Sequence, residues 1–133
     1  MSRSGYSDDC DDNSCWLWMG AVARAIGGKR GQALLRELKA ALEAMPVKRL
    51  IGSELQMETG EVCALGALAR QRGISVAGID PEDRELIAKT FGIAEALAAE
   101  IMFNNDEQCC GDTPEQRWEW MHRWVSQQIE EAA

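Results

Sequence analysis

Five cysteines, at positions 10, 15, 63, 109 and 110, and a single histidine, His122, are the side chains of this chain best suited to act as nucleophile, general base or soft metal ligand. Cys10 with Cys15, Cys109 with Cys110, and His122 can be assembled on paper into a zinc site. Cys109 and Cys110 are adjacent, without the gap of roughly two to four residues that lets one turn present two ligands to a tetrahedral ion. No metal is expected. A nucleophilic cysteine needs a basic partner, and His122 stands alone on the flank of an apolar helical stripe, where a histidine at the core edge is the simpler reading. Cys63 lies in "EVCALGAL", the setting of a small buried hydrophobe. Asn104, Asn105, Asp106 and Glu107 have the oxygen chemistry to gather a hard cation, and a solvated loop accounts for them equally well. With no complete set of catalytic groups, the chain reads as a non-enzyme with no cofactor.

Charged residues carry more information. The formal net charge is −8, unevenly spread: residues 16–50 hold seven basic side chains against two acidic, and residues 80–115 hold ten acidic against two basic. In the basic part, "GGKRGQ" precedes a helix, and helix N-termini present free amides to anions. It lacks P-loop spacing and follows no strand, so a solvated basic turn is preferred. Lys29, Arg30, Arg36 and Lys39 remain the alternative anion-binding set, one that a nucleic-acid-binding regulator would use.

In the acidic part, "ELIAKTFGIAEALAAEI" has the spacing of a helix-turn-helix around Gly92. Reading DNA requires Lys and Arg on the phosphates and Arg, Asn or Gln at base edges from the second helix. From Ile93 to Glu107 there is no Lys or Arg, while Glu95, Glu100, Asp106 and Glu107 are acidic. A phosphate backbone would repel such a helix, so a packing hairpin with an acidic outer surface is expected and direct nucleic-acid contact is disfavoured.

Tryptophan is in surplus, at 16, 18, 118, 120 and 124. At about 100° per residue, Trp118, Met121 and Val125 share one face and Trp120 with Trp124 a neighbouring one. That second face is either covered by Trp16 and Trp18 or exposed as an aromatic binding patch.

The elements that must hold these residues are mostly helical. Residues 1–13, with Asp8, Asp9, Asp11 and Asp12, lack apolar content and read as a flexible acidic arm. Residues 14–133 read as one domain of about six helices, large enough to bury roughly two thirds of the unfolded chain's surface. "CWLWMGAVARAI" is apolar nearly all round and predicts a central buried helix ended by Gly27 and Gly28. Leu34, Leu35, Leu38, Leu42 and Met45 then keep helical spacing until Pro46. Alternation from Leu50 to Met57, with a Thr59-Gly60 turn, predicts a short β-hairpin near 50–63. "ALGALARQRG" predicts a helix closed by Gly73. Asp80 and Pro81 read as N-cap and first position of the next helix, and Thr113 with Gln116 as the capping box of the last.

No apolar run approaches the roughly 18 to 20 residues needed to span a membrane, and the N-terminus is acidic where a secretory signal is basic and then apolar. The cytoplasm, with its thiols reduced, is the expected compartment.

The segments "MSRSGYSDDCDD", "KRGQALLRELKAALEAMPVKRLI", "GEVCALGALAR", "AKTFGIAEALAAEI" and "TPEQRW" together resemble small phage and prophage accessory proteins of unknown function. A wider set of phage and bacterial proteins is similar in "GEVCALGAL", a later Asn-Asp pair, here Asn105 and Asp106, and a final helix. The resemblance implies a phage accessory protein that binds and blocks a host protein, including anti-CRISPR or anti-restriction action on machinery that handles nucleic acid. The expected partner-binding residues are Glu95, Glu100, Asp106, Glu107, Trp120 and Trp124.

Overall fold

Leu34, Leu35, Leu38 and Leu42 recur at helical spacing and are all buried, which fixes the register of a helix over Lys29–Ala44 against the core. In the computed structural model the described residues are 12–106 and 113–132, with side chains at 17–106 and 113–129. Among them are six helices: α1 (Asp12–Gly27), α2 (Lys29–Ala44), α3 (Ala64–Arg72), α4 (Arg84–Phe91), α5 (Glu95–Asp106) and α6 (Pro114–Ala132). Up to position 11 the expected acidic arm lies outside the described residues. So do Cys10, Cys109, Cys110 and Glu107.

Local chemistry sets most helix ends. Met45, before Pro46, is extended and closes α2. Gly73 and Gly92 adopt the left-handed conformation that ends α3 and α4. The capping box at α6 forms reciprocally: Gln116 N donates to Thr113 Oγ1 at 3.1 Å and Thr113 N to Gln116 Oε1 at 3.2 Å. At α4 the cap lies later than expected. Asp80 makes a turn with Glu82 N at 2.9 Å, and Asp83 caps the helix through Leu86 N at 3.1 Å.

The centre of the molecule is not α1. Only Trp18 and Val22 of its described side chains are buried, and Leu17 and Met19 stand 66% and 53% exposed. The central pair is α3 with α5. Residues 64–69 of α3 are all buried, as are 97–102, 104 and 105 of α5, and the two helices contact each other. Alanines and glycine let the neighbours close in: α2 and α6 pack together and α2 also on α3, while α1, α4 and α6 pack on α5.

The hairpin expected over 50–63 is not formed. One isolated antiparallel bridge, Gln56 to Val62, is the only pairing among the described residues. Ile51 N donates to Val62 O at 3.0 Å, Met57 N to Glu61 O at 2.8 Å and Cys63 N to Leu55 O at 3.1 Å, so the two sides touch without forming strands, and other backbone groups of the segment bond outside it. Leu50 N donates to Pro114 O at 3.1 Å, Ile51 O accepts from Asn105 and Ser53 N donates to Asp106. Ser53 also takes a positive φ of 66°, which breaks the extended path. The segment is a loop held by the C-terminal end of α5.

Candidate functional site

Asn105 and Asp106 are where the sequence motifs converge. Asn105 is fully buried; its Nδ2 donates to Ile51 O at 2.9 Å and its Oδ1 accepts from Ala64 N at 3.1 Å, the first residue of α3. Its carbonyl accepts from Arg117 Nη1 at 2.6 Å, which joins α6 to the same point. Asp106 Oδ1 accepts from Ser53 N at 3.0 Å and from Asn105 Nδ2 at 2.7 Å. Asn104 is buried and donates to Glu100 O at 2.9 Å. Of the oxygens that could have gathered a cation, Asn105 Oδ1 and Asp106 Oδ1 accept hydrogen bonds within the fold. Among the described residues, no group of three or more His, Cys, Asp or Glu is placed to hold a metal ion.

"GEVCALGAL" forms the other half of this clasp. Cys63 caps α3, its Sγ accepting from Gly66 N at 3.5 Å, and burial pushes the thiol pKa up to about 12. A thiol held protonated in this way is a poor nucleophile. Gly66 is required by close approach, because a Cβ there would stand 2.0 Å from Leu55 O. The Asn-Asp pair and the "GEVCALGAL" run thus meet at Ala64 N, and their joint occurrence is explained by structure. Reading each motif alone misses this contact; their pairing in the resemblance was the available signal.

The expected acidic residues are not brought together on one surface. Glu95 is exposed at the start of α5, but Glu100 is only 6% exposed and Asp106 is half-buried and hydrogen-bonded. Helix α5 is enclosed on most sides, so its Glu100 does not form an outward face with Glu95. The exposed carboxylates lie earlier, at Asp80, Glu82, Asp83 and Glu85, with the apolar Leu86 exposed beside them. Sequence reading placed acid across 80–115 and could not say which turns of α5 face inward.

The aromatic-patch reading is corrected as well. Trp124 is 8% exposed and belongs to the core, and Trp120 is half-buried and packed against it. Trp118 donates from Nε1 to Leu42 O at 3.1 Å and stacks on His122 with ring centroids 4.9 Å apart. His122 Nε2 lies 2.9 Å from Glu43 Oε2, and this hydrogen bond holds the Glu43 carboxyl below its ordinary range. These groups seam α6 to α2, the core-edge role expected of His122.

No family model, curated protein or solved structure matches this chain. Its function is therefore argued from its own surfaces.

The basic set is the more accessible one. Lys29, Arg30 and Arg36 are exposed and Lys39 half-exposed along α2, whose first turn holds no acid and whose N-cap, Gly28, supplies no side-chain cap. The glycine spacing of "GGKRGQ" has a packing cause. A Cβ on Gly31 would stand 1.8 Å from Ala25 O, where α1 turns into α2. A groove of about 290 Å³ runs beside the 45–62 loop, walled by Met45, Val47, Leu50, Ile51 and Val62. Two arginines border it, and both are engaged: Arg49 with Glu115 at 2.9 Å, and Arg70 with Gly60 O. Its lining contains no cysteine or histidine. Among the described residues, no helix is long and apolar enough to cross a membrane.

Proposed function

We propose that this chain is a phage-encoded, non-enzymatic accessory protein that binds a host protein and inhibits or modulates it. Host defence machinery that handles nucleic acid is the target class. The observation that carries the reading is the run of exposed carboxylates at Asp80, Glu82, Asp83 and Glu85 with exposed Leu86 next in sequence, and Glu95 exposed at the start of the next helix. Negative charge on a rigid helical scaffold competes for sites built to hold nucleic acid, and an adjacent apolar side chain adds contact that phosphate lacks. Relative to the acidic set expected from sequence, Glu95 stays in the surface and the 80–85 turn replaces Glu100 and Asp106.

The test is capture from bacterial lysate followed by partner identification, with the double variant Glu85→Lys, Glu95→Lys beside the unaltered chain. The unaltered chain should retain a partner that the double variant loses, and retention should weaken as salt rises from about 0.05 to 0.5 M because exposed charges are screened. Equal retention by both at all salt concentrations sinks the proposal.

A second reading is favoured by the open, acid-free first turn of α2 with Lys29, Arg30, Arg36 and Lys39 along it. It makes the chain a nucleic-acid-binding regulator. Gel-shift assays at low salt decide it: tight binding abolished by Lys29→Ala with Arg30→Ala supports this reading and displaces the first.

A further inference from the structure

We draw no further inference here: the strongest candidate, the apolar groove of about 290 Å³ beside the 45–62 loop, is bordered by Arg49 and Arg70, both already engaged by Glu115 and Gly60 O, with Glu61 in the same lining, and nothing in the structure shows what covers it.

Discussion

Asn105 shows how one buried amide can decide the shape of a loop fifty residues away in sequence. It satisfies Ala64 N–H and Ile51 C=O at once, so Asn105→Ala would leave both without their partner in a site too buried for easy replacement by water. A buried group without its partner costs about 1–3 kcal/mol, and two of them set the expected loss at about 2–6 kcal/mol in urea unfolding. A loss under about 1 kcal/mol would show that the loop holds itself. Charge at the residue scale acts more weakly. Arg72 donates to both Glu37 carboxylate oxygens, at 2.6 and 2.8 Å, and holds that carboxyl below its ordinary value of 4.5. Because the folded state favours the ionised form, the pair's stabilisation is complete above the ordinary carboxylate range and is lost as pH falls through the depressed value. Glu37→Gln should therefore flatten the acid side of the stability profile between about pH 6 and pH 3 while leaving its neutral shape unchanged. An acid limb as steep as in the unaltered chain would assign the slope to other carboxylates. The Glu43 carboxyl, lowered by His122, contributes in the same direction.

At the scale of elements, the sequence was legible where structure is decided within a few residues. Pro46, Gly73, Gly92 and the Thr113/Gln116 box all mark ends that the chain observes. It was illegible where a distant partner decides. The alternation over 50–57 has the period of a strand, and Ile51, Leu55 and Met57 do exchange backbone hydrogen bonds with 61–63, but Leu50 N, Ile51 O and Ser53 N bond Pro114, Asn105 and Asp106 instead, and no ladder forms. Likewise nothing local says that α1, apolar nearly all round, is the less enclosed helix and that α5, with Glu95, Glu100 and Asp106, is the central one. Helix α5 becomes central because its alanines and its buried Asn104 and Asn105 are contacted from several sides, whereas Leu17 and Met19 of α1 are left in solvent. The candidate site suffered for the same reason: once α5 is enclosed, Glu100 cannot belong to an outer acidic face. Gly66 gives a test of the 50–63 loop docking on α3. A helical Gly→Ala ordinarily gains about 0.5–1 kcal/mol from reduced unfolded-state freedom. Here the new methyl would stand 2.0 Å from Leu55 O and 2.8 Å from Val62 Cβ, so the clash should win and Gly66→Ala should destabilise by about 2 kcal/mol or more. A stabilised variant in thermal unfolding would mean the loop is free to move away.

Across the whole molecule, stability is concentrated in one core. The buried cluster takes residues from α2, α3, α4, α5 and α6 together with Leu50, Leu55 and Val62 of the loop; among the described side chains of α1, Ala25 and Ile26 pack against it while only partly buried, and the buried Trp18 and Val22 lie outside it. Opening of α1 would thus uncover few apolar groups, while opening of α3 or α5 would disrupt packing on several neighbours at once. Proteins open in cooperative units whose free energies follow such differences. Native-state hydrogen exchange should accordingly show residues 64–69 and 97–105 exchanging only through global unfolding, with the same denaturant dependence as the urea transition. The amides of 18–26 should exchange through a lower opening with a shallower dependence on denaturant, because less surface is uncovered. Uniform protection across all six helices would show that α1 is bound into the core more tightly than its described buried side chains account for.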